Sequence, residues 1–148
     1  MNDDIQDLYQ EVILDHGRHP RNFGKLEVAN RIQQGLNPLC GDEIQLYLLV
    51  EGDQIKAVRF CGEGCAISQA SASIMTTMIE KKSLAEVEKI FHAFHQQMTD
   101  EGVFDEEQLG KLKVLSGVKA YPARVKCATL AWHTLQAALK QSPQCVST

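Results

Sequence analysis

Ile44, Leu46, Leu48 and Val50 alternate with Glu43, Gln45 and Tyr47, and after Glu51-Gly52-Asp53 a second apolar series returns through Ile55, Val58 and Phe60. A period of two puts each series on one face of a strand, and the short Gly-containing connection folds the second strand back on the first. The product is an antiparallel hairpin with one apolar face that other elements must cover. A further short strand is expected from Arg31 to Leu36, leading into the turn Asn37-Pro38-Leu39-Cys40-Gly41-Asp42 with Cys40 near its tip.

The covering elements are legible as helices. Ile5, Leu8, Tyr9, Val12 and Ile13 share a face at helical spacing from Asp4 to His16, with Asp3 or Asp4 as N-cap, Gly17 as the stop and Pro20 barring resumption. After Gly62-Glu63-Gly64-Cys65 the period changes, and Ile67, Ile74, Met75, Met78 and Ile79 mark a second helix whose methionines belong to the core. Ser83 and Glu86 form a capping box for a third, through Leu84, Val87, Ile90, Phe91 and Phe94. Pro122 opens the last, through Val125, Ala128, Trp132, Leu135 and Leu139. The expected fold is α+β: a small three-stranded antiparallel sheet with helices on one face. At 148 residues, 1–148 reads as a single domain, with 99–121 an excursion and 142–148 a flexible tail.

Fifteen basic residues stand against nineteen acidic ones and are not massed on one face, which argues against a nucleic-acid partner. No apolar run approaches the roughly 18 residues of a membrane span. The acidic opening Met1-Asn2-Asp3-Asp4 is unlike a secretory leader, so a cytoplasmic location is expected. In that reducing compartment five cysteines serve metal binding, catalysis or plain burial rather than a disulfide framework.

Cys40 lies in a Gly-containing turn, Cys65 immediately before a helix and Cys127 in the first turns of another. Unpaired N–H groups and the macrodipole at a helix start lower a thiol's pKa and favour the thiolate. Asp42, two residues beyond Cys40, faces the same side if the segment is extended, completing a set of three thiolates and a carboxylate for zinc or iron. The carboxylate is the weakest ligand for a thiophilic metal and is expected to be the one that lets go. Arg124 and Lys126 are placed to offset the negative charge. Burial of Cys65 and Cys127 as small apolar residues accounts for them equally well at this stage.

Four stretches carry a resemblance that covers nearly the whole chain: Leu14-Asp15-His16 through Pro20-Arg21-Asn22-Phe23-Gly24; Asn37 through Asp42; Gly62-Glu63-Gly64-Cys65-Ala66-Ile67-Ser68; and Ala123 through Trp132. They resemble the U-type iron–sulfur scaffold proteins (NifU N-terminal-like, IscU-like), and within them the SufU-like branch. The resemblance implies Cys40, Asp42, Cys65 and Cys127 as ligands, of zinc in one reading and of iron or a [2Fe–2S] cluster in another. Lys126 stands where the scaffold branch proper has His, and 99–121 resembles the SufU-like insertion. Both departures favour a zinc-dependent sulfurtransferase that takes persulfide sulfur onto Cys40 from a pyridoxal-phosphate cysteine desulfurase. A scaffold that passes clusters to apo-acceptor proteins is the alternative, and a non-catalytic zinc-stabilised module the third reading.

The remaining residues of chemical interest read more plainly. Cys61 departs from the family pattern and is expected as a strand-end core residue; Cys145 belongs to the tail. His92 and His95 read as solvated surface histidines, His16 and His19 as caps of backbone carbonyls, and His133 as packing or surface. For Arg124 a partner contact and a surface salt bridge are equally consistent readings.

Overall fold

The computed structural model describes residues 2–99, 106–140 and 146–147, with side chains described for 7–99 and 107–140. The chain runs α1 (Asn2–Arg18), β1 (Arg31–Asn37), β2 (Asp42–Glu51), β3 (Gln54–Glu63), α2 (Ala66–Ile79), α3 (Leu84–Thr99), α4 (Glu106–Leu109), a 3-10 helix (Gly110–Ala120), α5 (Pro122–Leu139) and β4 (Val146–Ser147). The sheet order is β3-β2-β1-β4. β1, β2 and β3 form the expected antiparallel meander, and β4 adds a two-residue parallel edge through Gly35 opposite Val146 and Leu36 opposite Ser147. That edge falls within the stretch expected as a tail; residues 141–145 and 148, Cys145 among them, lie outside the described residues.

Alternation in sequence becomes alternation in burial. Ile44, Leu46, Leu48 and Val50 point inward from β2, joined by Ile55, Val58 and Phe60 from β3. The three-residue step from Ile55 to Val58 is absorbed by a bulge: Leu49 faces Ala57 and Val50 faces Ile55, leaving Lys56 as the extra residue. α2 and α5 cover this inner face, α1 lies against α2, and α3 closes over α5. The fully buried Trp132 of α5 stacks on Phe94 of α3 at 5.1 Å between ring centroids. α5 approaches β1 closely enough that a Cβ on Gly35 would run into Thr134 Oγ1, so only glycine fits there.

Ser83 caps α3 as expected: its Oγ accepts the Glu86 N–H at 3.2 Å, and Glu86 Oε1 accepts the Ser83 N–H at 3.1 Å. In the stretch expected as an excursion, residues 100–105 lie outside the described residues. The rest is a packed wall in which Leu109, Leu112, Leu115 and Val118 are buried, and Gln97 Nε2 donates to the Leu112 carbonyl at 3.1 Å. No helix among the described residues is long and apolar enough to cross a membrane.

Candidate metal centre

The β1–β2 connection closes with Asn37 paired opposite Asp42. Between them Pro38, Leu39, Cys40 and Gly41 loop outward, with Gly41 at φ +72°, a conformation that side chains disfavour. Cys40 is therefore exposed at the loop while Asp42, at the root of β2, is only 1 % exposed. Cys127 comes from the other side on α5 and is fully buried. Its Sγ lies 3.4 Å from Cys40 Sγ, and ligand atoms of Cys40, Asp42 and Cys127 all fall within 4.8 Å of one another.

Cys65 adjoins this trio. It is the N-cap of α2, with its Sγ accepting the Ser68 N–H at 3.4 Å and its own backbone N–H donating to Asp42 Oδ1 at 3.1 Å. A Cβ on Gly64 would sit 2.8 Å from the same Oδ1, so that approach requires glycine. The other carboxylate oxygen, Oδ2, accepts from Asn37 Nδ2 at 3.3 Å, and Asn37 Nδ2 is also 3.6 Å from Cys127 Sγ.

Cys65 stands at a helix start, as expected, and Cys127 does not. Burial, followed by hydrogen bonding with Asp42, Cys40 and Cys65, pushes the Cys127 thiol well above its ordinary value. Cys127 is the sixth residue of α5, beyond the unpaired N–H groups of the first turn, and desolvation prevails over the dipole. Arg124 is exposed on the same helix, and the Cys65 and Cys127 sulfurs raise its pKa, ahead of any carboxylate. Lys126 is exposed beside Cys127 in sequence.

The donors suit a thiophilic ion. Sulfur and oxygen ligands about 2.0–2.3 Å from a common zinc lie within roughly 4.6 Å of one another, close to the spread of the trio, and Cys65 supplies a further thiol alongside. Asn37 Oδ1 is buried without a hydrogen-bond partner at the same place, so the pocket is polar rather than a packed core.

Other residues lie elsewhere. Cys61 is half-buried opposite Gln45, with its Sγ 3.8 Å from Tyr47 Oη, and does not join the trio. His92 and His95 are exposed, and His133 is half-buried edge-on to Phe91 at 6.3 Å. Met75 is buried and Met78 packs against the core. His19 is exposed. His16 departs from the expected carbonyl cap: it is 3 % exposed, and its Nδ1 lies 2.7 Å from Ser73 Oγ, which also accepts the Arg21 N–H at 2.8 Å. Asn37 carries no signal in the sequence beyond the turn, because its contact with Asp42 follows from strand register, which spacing does not reveal.

The model of the NifU-like N-terminal domain matches residues 8–144. The zinc-dependent sulfurtransferase SufU of Bacillus subtilis is 40% identical over 135 residues, covering 91% of each chain. The iron–sulfur cluster assembly scaffold protein IscU of Thermotoga maritima is 44% identical over 134 residues, covering 90% of this chain and 94% of its own. Among solved structures, a protein of Fervidobacterium islandicum AW-1, assigned as an iron–sulfur cluster assembly scaffold for the SUF system, superposes with a TM-score of 0.83 at 42% identity, over 87% of this chain and 94% of that one.

Proposed function

Because the chain belongs to the NifU-like N-terminal domain family, we propose that it serves iron–sulfur cluster assembly as a zinc-bound sulfur acceptor, taking persulfide sulfur from a pyridoxal-phosphate cysteine desulfurase onto Cys40. The observation that carries this reading is an exposed cysteine 3.4 Å from a buried one, beside a buried carboxylate. Zinc held by Cys40, Asp42, Cys65 and Cys127 would keep the thiols as thiolates. The protein's own part is to present Cys40. Its thiolate attacks the sulfane sulfur of the donor's persulfide, the donor S–S bond breaks, the donor cysteine leaves as thiolate, and a persulfide remains on Cys40.

Burial argues for a different mobile ligand from the one chemistry alone suggested. Asp42 is enclosed and held through both oxygens, whereas Cys40 sits on an outward loop. We therefore assign the release step to Cys40, with Asp42 as an anchor. Arg124 stands beside the thiols to offset their charge. Leu39, next to Cys40 on the outward loop, is 74 % exposed, an apolar side chain beside the centre that suits it to being covered by a protein partner.

The identity to an IscU scaffold favours a second reading, in which the same four residues hold iron or a [2Fe–2S] cluster destined for apo-proteins. One experiment separates the two. Anaerobically purified protein is assayed for zinc, iron and sulfide, then mixed with a cysteine desulfurase and cysteine. Stimulated alanine release with zinc retained, lost in Cys40→Ser, supports sulfur transfer. A chromophore that moves to an apo-acceptor supports scaffolding, and neither result overturns both.

A further inference from the structure

We propose that Asn37 is the positioning residue of the metal centre, fixing the anchor ligand Asp42 and the buried ligand Cys127 relative to each other; this rests on the metal-binding reading above. Asn37 is fully buried at the end of β1. Its one amide nitrogen faces two ligands from different parts of the fold, Asp42 Oδ2 at 3.3 Å from the hairpin and Cys127 Sγ at 3.6 Å from α5. An amide NH₂ has two protons, one for each.

Both acceptors are groups that can bind a cation, and an N–H directed at each fixes its orientation and the lone pairs left for the ion. Asp42 is thereby gripped on opposite oxygens, by Asn37 on Oδ2 and by the Cys65 N–H on Oδ1. Asn37 gives Cys40 no such hold. The amide thus divides the ligand set into a fixed part, Asp42 and Cys127, and a movable one, Cys40. A hydrogen bond serving the hairpin alone would not need to reach α5.

The test uses the full chain with Zn²⁺ as the probe. Affinity is measured by competition with a chromophoric chelator, and Co²⁺ substitution reports the thiolate-to-metal charge-transfer band. Asn37→Ala is expected to weaken Zn²⁺ binding about 10–100-fold, the range for losing a hydrogen-bond partner of a ligand, and to shift the Co²⁺ band. A purely structural role would lower the urea midpoint in excess chelator and leave both metal readouts of the folded protein at parent values, which would overturn the proposal. If Asn37→Ala does not fold, Asn37→Ser, which keeps a shorter donor, is expected to bind with intermediate affinity; parent-level affinity in that variant overturns the proposal equally. A parent chain that itself binds neither Zn²⁺ nor Co²⁺ sinks the metal-binding reading and this proposal together, whereas a binding parent with an unaffected variant sinks this proposal alone.

Discussion

Cys40 and Cys127 carry the same functional group and are placed to do different work. One thiol is exposed on a loop; the other is enclosed, with burial raising its pKa. Cys40→Ser is expected to abolish sulfur acceptance while leaving Asp42, Cys65 and Cys127 to hold zinc more weakly, and Cys127→Ser to reduce zinc content itself; metal analysis beside alanine-release assays distinguishes the two. Two histidines give a pH dependence of stability. Burial, the largest influence on each, lowers the folded-state pKa of His16 and His133 below the ordinary 6.5. Under mild acid the unfolded chain then binds more protons than the folded one, so stability is full above that value and falls as pH drops through it. Urea midpoints measured with chelator from pH 7.5 to 5 should decline, and less steeply in a His16→Gln, His133→Gln double variant.

Elements built on strong local rules were legible and those built on register were not. The β2–β3 hairpin follows from a period of two, α3 from its capping box and α5 from Pro122 at its start. The bulge at Lys56 and the Asn37–Asp42 pair depend on which residues face each other across strands, which a single chain pattern leaves open. Acidic clusters and glycines mark the stretch 99–121 as an excursion with a short helix through Leu109 and Leu112; the helix is longer than that, because the buried Leu112, Leu115 and Val118 recur every three residues, outside both usual periods. Of the candidate centre, the expected Cys40, Asp42 and Cys127 do come together with Cys65 alongside, whereas burial and strand register were needed to see that Asp42 is held through both oxygens. Ser83→Ala should cost about 1 kcal/mol in chemical denaturation, as loss of an N-cap does. Gly35→Ala should cost about 1–3 kcal/mol by pressing on Thr134, Ile44 and Leu130, and adding Thr134→Ala should recover part of that loss.

At the level of the whole molecule, Cys40 on the β1–β2 loop and Cys127 on α5 meet at the centre, so an ion bound there would add a further tie between the sheet and its covering helix. A ligand that binds only the folded chain, present at a thousand times its dissociation constant, stabilises by about 4 kcal/mol. Zinc is accordingly expected to raise the thermal midpoint and chelator to reverse the shift, with the single tryptophan, the buried Trp132, reporting unfolding by a red shift of its emission.

The sulfurs of Cys40 and Cys127 are neighbours in space and 87 positions apart along the chain. Contacts of such long range close late, after local hairpins and helices have formed. A chain in the course of folding therefore carries the Cys40 thiol before its counterpart at Cys127 has arrived. Zinc supplied after refolding from denaturant should bind faster than zinc present throughout, because an early ion meets cysteines that have not yet been gathered and can trap wrong pairings among them.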